Sequence, residues 1–143
     1  MAKPRTPVWL RVVVPLGALP LYAVACVRPA ATFSVASNDA TSTGLGLLLW
    51  GWADGSQACL PWSSNFLWLA GAALLAAGRA GRAWGCSAVG LVFASQVLLL
   101  PYRGAELLEA KYWWVGSHAV LATGCMTACV WTWITSEPFG DDS

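Results

Sequence analysis

His118 is the side chain of this chain best suited to chemistry, because an imidazole exchanges a proton near neutral pH and is the commonest metal ligand. It is the one histidine in the sequence. On a helix it shares a stripe with Cys125 and Cys129, at i+7 and i+11. One imidazole and two thiols fall short of the four ligands of a structural zinc site, and no carboxylate or second histidine falls at matching depth, so no metal is expected. Gln96, beside Ser95, is the other polar side chain deep in an apolar run. With Asn65 and Ser117 these residues predict a polar pocket lined by Asn65, Gln96, Ser117 and His118, in which Gln96 reaches His118 directly or through water. Two uses are open to such a pocket: a clamp between helices, which is the expectation, or a proton-linked or ligand-binding site.

Other catalytic patterns are missing. The sequence has no Gly-rich phosphate loop, no Ser-His-Asp set and no H-E-x-x-H, so neither an enzyme nor a cofactor is expected. It has no C-x-x-C, which a quinone-coupled thiol oxidase requires outside the membrane. A small multidrug antiporter needs a carboxylate deep in its first helix, and the apolar runs contain no Asp or Glu.

These side chains need elements to position them, and composition says what kind. Of 143 residues, 57% are apolar and 10% charged, with 8 basic against 7 acidic groups and a mean hydropathy of +0.58. A soluble domain is about 25% charged, so the surface charge that water demands is lacking. A net charge of +1 offers no footprint for nucleic acid. The expected class is an all-α integral membrane protein, one domain over residues 1–143, with the lipid bilayer as its solvent.

Charge spacing sets the spans, since a crossing helix needs about 20 residues with little charge. The uncharged intervals 55–78, 83–102 and 112–136 qualify, and the interval 12–27 qualifies when residues 8–10 extend it and Arg11 snorkels to the headgroups. Four transmembrane helices are predicted near residues 8–27, 61–78, 83–102 and 112–135. The apolar run 44–53 is too short to cross and is expected as an interfacial helix, with Trp50 and Trp52 at headgroup depth. Of the 10 tryptophans, Trp9, Trp62, Trp84, Trp113, Trp114, Trp131 and Trp133 fall near predicted helix ends, as interface anchors do. A cytoplasmic amino terminus puts Lys3, Arg5, Arg11, Arg79 and Arg82 inside and Arg28, Arg103 and Lys111 outside, which favours both termini in the cytoplasm. The amino terminus has a second reading, a signal peptide with a basic start, an apolar run from Val12 to Tyr22 and the A-x-A pattern Ala23-Val24-Ala25; an uncleaved first helix is the expectation.

Apolar helices gain nothing by leaving lipid for one another, so close packing of small residues must hold them. Gly71 and Gly78, Ala72 and Ala76, Gly81 and Gly85, Gly90 and Ala94, and Gly124 and Ala128 supply such surfaces at helical spacing. The turn Gly78-Arg79-Ala80-Gly81-Arg82 makes the second and third spans a hairpin, while residues 103–111 read as a solvated connection. Five cysteines leave one odd; Cys26 and Cys59, both at the outer side, are the pair that an oxidising exterior permits to bridge.

The motifs Leu60-Pro61-Trp62-Ser63-Ser64-Asn65, with Pro61 starting the second span, and Tyr112-Trp113-Trp114-Val115-Gly116-Ser117, opening the fourth, give the chain a resemblance over residues 50–135. It resembles small bacterial inner-membrane proteins with L-P-W-x-x-N and Y-x-W-x-x-S helix entries. The resemblance implies a four-helix bundle in the bacterial inner membrane and no particular activity. The function expected is that of a structural or accessory envelope component that packs with itself or with a membrane-protein partner. The alternative is a small carrier or sensor using the outer pocket around His118.

Overall fold

The computed structural model describes residues 6–35, 38–50, 56–99 and 105–136. These form five helices and a three-stranded sheet: α1 (Val8–Val27), β1 (Pro29–Val35), β2 (Asn38–Thr43), α2 (Gly44–Trp50), α3 (Ser56–Ala76), α4 (Ala80–Leu99), β3 (Ala105–Leu107) and α5 (Ala110–Ile134). The chain is mainly helical, as its apolar runs require.

The turn between α3 and α4 shows why the hairpin closes where it does. Gly78 takes φ +74°, open to a residue without Cβ. Its N–H donates to the Leu75 carbonyl at 2.8 Å, and the Arg79 N–H donates to the Leu74 carbonyl at 2.8 Å. This is the Schellman pair that satisfies the last carbonyls of a helix. From this turn α3 packs along α4, α4 along α5, and α5 along α1, while α1 meets α3 at only a few points. We call the two ends of the bundle the turn end and the sheet end.

Small residues make the contacts. A Cβ at Gly71 would strike the Ser87 hydroxyl, one at Gly124 would strike Val14, and one at Gly90 would stand 3.1 Å from Leu67 Cβ. Ala80, Ala83, Ala94, Ala122 and Ala128 are buried beside them. Gly81 and Gly85, expected in this role, instead face open space, and Ala76 is exposed. The core between the helices consists of Leu10, Ala18, Trp68, Leu75, Ala80, Ala83, Leu121, Cys125 and Ala128.

The large aliphatic side chains lie mainly outside this core. Val13, Leu16 and Leu19 of α1, Leu69 of α3, Val89 and Val92 of α4, and Val120, Met126 and Val130 of α5 are exposed, whereas Ser64, Asn65, Ser87, Ser117 and His118 are buried. Among the described residues two helices, α1 and α4, are long and apolar enough to cross a membrane. Helices α3 and α5 are as long, at 21 and 25 residues; Gln57, Asn65, Lys111, His118 and several Ser, Thr and Trp residues make them less apolar.

The sheet is the element that helical periodicity did not reveal. Its order is β2-β1-β3, antiparallel throughout, with Thr32 opposite Thr41 on one side and opposite Glu106 on the other. Residues 105–107, expected in a solvated connection, therefore form a strand, and Leu108 N–H continues the pairing to the Ala30 carbonyl at 2.9 Å. The sheet adjoins the helices through two short joints. Gly44, first residue of α2, lies against the Ala25 backbone where a Cβ would not fit, and its N–H donates to the Arg28 carbonyl at 3.0 Å. Arg28 pairs with Glu109 at 2.8 Å across the gap between β1 and α5. Helix α2 occupies Gly44–Trp50 of the expected 44–53 segment; the remainder lies outside the described residues. Helix α3 begins at Ser56, so Pro61 sits inside it and does not start it. Within a helix Pro61 lacks the N–H that would reach back one turn. Its own carbonyl accepts the Ser64 hydroxyl at 2.7 Å.

Candidate functional site

Toward the sheet end, Asn65 joins three helices. Its Oδ1 accepts the Tyr22 hydroxyl of α1 at 2.7 Å and the Trp114 indole N–H of α5 at 2.9 Å. Its Nδ2 donates to the Trp62 carbonyl one turn earlier on α3, at 2.9 Å. Both lone-pair directions of the amide oxygen are thus used, and one N–H is placed. Asn65 is 8% exposed, so these three bonds matter: a buried amide without partners would cost several kcal/mol in an apolar medium.

Trp114 hands the network on to His118, one turn further along α5. Their rings meet edge to face, centroids 5.3 Å apart and planes at 83°. His118 Nδ1 lies 3.0 Å from the Trp114 carbonyl oxygen, and Nε2 lies 3.3 Å from the Ser64 carbonyl oxygen of α3. Both ring nitrogens therefore face acceptors. A neutral imidazole has one N–H and satisfies one of them, whereas an imidazolium donates to both. Gly90 of α4 adjoins this contact: a Cβ there would be tight only against Leu67 Cβ, at 3.1 Å, and in ordinary contact with the Ser64 oxygen and His118 Cδ2, at 3.6 and 3.7 Å. The imidazole is 1% exposed.

Of the four residues predicted to line a pocket, the structure brings together Asn65, Ser117 and His118. Ser117 is buried beside His118, but its hydroxyl donates to the Trp114 carbonyl at 2.7 Å, a bond within its own helix. Gln96 stands apart. It is half-buried on α4, six residues beyond the Gly90 that adjoins His118, or about 9 Å along the helix axis. The expected Gln96–His118 bond is replaced by the two carbonyl contacts, because the depths of the two residues do not match.

Three participants were not predicted. Tyr22 was seen only as the end of an apolar run, and Trp114 only as an interface anchor. The Ser64 carbonyl has no side-chain signature. A lone phenol in an otherwise apolar helix was the available signal, since a buried Tyr hydroxyl seeks a partner. Trp68, one turn below Asn65, stacks on Tyr22 with centroids 4.9 Å apart. Its indole nitrogen is the buried side-chain donor without a partner among the described residues.

The cysteines lie elsewhere. Cys125 is buried with its sulfur 3.5 Å from the Ser87 hydroxyl, and Cys129 is half-buried one turn further on. Among the described residues no three His, Cys, Asp or Glu side chains converge as a metal site would require. Cys26 carries a free thiol at the end of α1; its expected disulfide partner Cys59 has a side chain outside the described residues. The arrangement around Asn65 can hold α1, α3 and α5 in register and can hold a proton at His118. Comparison with known proteins gives no match, whether to a protein-family model, to a curated protein or to a solved structure.

Proposed function

We propose that this protein is a four-span integral component of the bacterial inner membrane, both termini cytoplasmic, with a structural or accessory role and no catalytic activity of its own. The observation that carries the membrane reading is the inversion of burial: large aliphatic side chains face outward while serine, asparagine and histidine are enclosed. Contiguous apolar surface of that extent is a liability in water and the natural exterior of a chain dissolved in lipid. Helices α3 and α5 join α1 and α4 as spans on this reading, because Ser64 and Asn65 of α3 and Ser117 and His118 of α5 are buried within the bundle. At 21 and 25 residues they reach about 31 and 37 Å, enough for about 30 Å of hydrocarbon. The outward rings support the same depth, with Trp9, Trp84, Trp131 and Trp133 exposed at the turn end and Tyr112 and Trp113 at the sheet end.

The three bonds of Asn65 favour an accessory role over a carrier, since a substrate would have to displace bonds already made within the chain. The extramembrane sheet offers the surface for a partner, either a second copy or another membrane protein. Reporter fusions after residues 36, 78, 103 and 143 test the topology. The second and fourth should report cytoplasm and the first and third periplasm; any other alternation overturns the four-span reading. Crosslinking in intact cells should then give one stoichiometric product, and its absence would remove the accessory role.

A second reading, a proton-linked sensor or carrier, rests on the two carbonyl oxygens facing His118. The ring meets Trp114 of its own helix, the Ser64 carbonyl of α3 and the face of Gly90 on α4, and none of these is charged. Nitrogen-15 spectra of His118 between pH 5 and 8 should show a change of protonation that also moves the Trp114 indole resonance. A single neutral tautomer across that range removes this reading.

A further inference from the structure

We infer that the turn end of the bundle binds the phosphate of an anionic phospholipid headgroup in a cationic site built by Arg11, Arg79 and Arg82; the inference rests on the membrane reading above. Arg11 belongs to the first turn of α1, yet its guanidinium lies on the α3–α4 turn. Two bonds bring it there. The Thr6 hydroxyl donates to the Gly78 carbonyl at 3.4 Å, and Arg11 Nε donates to the Thr6 carbonyl at 2.8 Å. The guanidinium then covers the face of Gly78 where a Cβ would be, with that position 2.9 Å from Cζ and 3.0 and 3.2 Å from the two Nη atoms. Glycine at 78 thus serves both the positive φ and the seat of the arginine.

What is left open is the chemistry that recognises phosphate. Nε is used, and among the described residues both Nη groups of Arg11 have no acceptor, while Arg79 and Arg82 are exposed on the adjoining turn and pair with no carboxylate. The Arg28–Glu109 ion pair lies at the opposite end. A guanidinium whose Nη1–Nη2 edge is free matches two phosphate oxygens in bidentate fashion. Exposed Trp9 and Trp84 flank the site at headgroup depth, and basic pockets of this kind, between helices on the cytoplasmic side, suit anionic headgroups. The acidic tail, Glu137, Asp141 and Asp142, is the rival occupant that the sequence supplies.

The test uses the full chain reconstituted into vesicles containing dibrominated phosphatidylglycerol or dibrominated phosphatidylcholine, with tryptophan quenching as the readout. Phosphatidylglycerol should be preferred by roughly fivefold at low salt, the ratio that one arginine near an anionic surface provides. The preference should fall in Arg79→Gln/Arg82→Gln, which touches only exposed side chains and leaves Arg11 in place, and fall likewise in Gly78→Ala, which displaces Arg11; no change in either variant overturns the site. Inorganic phosphate at 10 mM should leave it unchanged, and its removal by phosphate would overturn the lipid assignment in favour of a soluble anion. Equal quenching by the two lipids overturns the site while the membrane reading stands; no quenching by either means that the chain has not entered the bilayer, and the membrane reading fails. A preference that appears only in Glu137→Gln/Asp141→Asn/Asp142→Asn assigns the arginines to the tail and overturns the proposal.

Discussion

The sheet end and the turn end of the bundle are held by different means. At the sheet end, Tyr22, Asn65, Trp114 and His118 connect α1, α3 and α5 through directional bonds of 2.7 to 3.3 Å, and the side chains engaged are largely buried. Toward the turn end, contact is mostly steric: Gly71 against Ser87, Gly124 against Val14, alanines throughout. The first kind of joint consumes donors and acceptors. The second consumes few, and among the described residues of the turn end Arg11 spends only its Nε, on the Thr6 carbonyl. A bundle in lipid needs both, since packing of small residues brings helices close but leaves rotation and register weakly specified.

Breaking the Asn65 joint should have the largest effect. Asn65→Leu removes three bonds and leaves the Tyr22 hydroxyl and Trp114 N–H without their acceptor, so a loss of about 3 kcal/mol is expected, read by denaturant titration in mixed micelles. Thr127→Val, at an exposed threonine bonded within its own helix, should change stability by under about 0.5 kcal/mol. Equal losses at the two positions would mean that the three-helix joint contributes nothing special. The steric joint is broken next. Gly124→Leu drives a side chain into Val14 and should cost about 2 kcal/mol, whereas Gly85→Leu, with nothing within 4 Å, should cost no more than a few tenths. A reversal of that order would contradict the packing of α1 on α5.

Tyr22→Phe sharpens the comparison further, because it deletes one bond and keeps the ring stacked on Trp68. A loss of about 0.6 to 1.7 kcal/mol is expected. Combined with Asn65→Leu it should add almost nothing, since the acceptor is then already gone. Full additivity in that double-mutant cycle would show that Tyr22 and Asn65 act separately.

The helices were legible in the sequence and the sheet was not, for a physical reason. On the membrane reading proposed above, long apolar intervals between charges leave the backbone no alternative to the helix; α1 falls on its predicted range 8–27, and α4 and α5 within three residues of theirs. The strands carry no helical or alternating signature: β2, Asn38–Thr43, is the polar run NDATST, and β1 finds its second partner, β3, more than seventy residues further along the chain. The site was legible by type more than by geometry. Asn65, Ser117 and His118 were singled out because polar groups in apolar helices must find partners, but the partner of His118 turned out to be backbone, which every residue carries. Gln96 was misplaced because the depth of each residue was counted from inexact helix ends.

The smallest effect expected is at the Arg28–Glu109 pair, and its smallness is itself informative about where the water begins. The two side chains are 51% and 55% exposed. In water such a pair contributes about 0 to 1 kcal/mol and is screened by salt; within hydrocarbon, losing one partner would strand a charge at several kcal/mol. Glu109→Gln should therefore lower stability by only a few tenths of a kcal/mol at low salt, and by less at 0.5 M salt. A loss of 2 kcal/mol or more, insensitive to salt, would place the joint between β1 and α5 inside the apolar layer, leaving α5 too short above His118 to span as drawn.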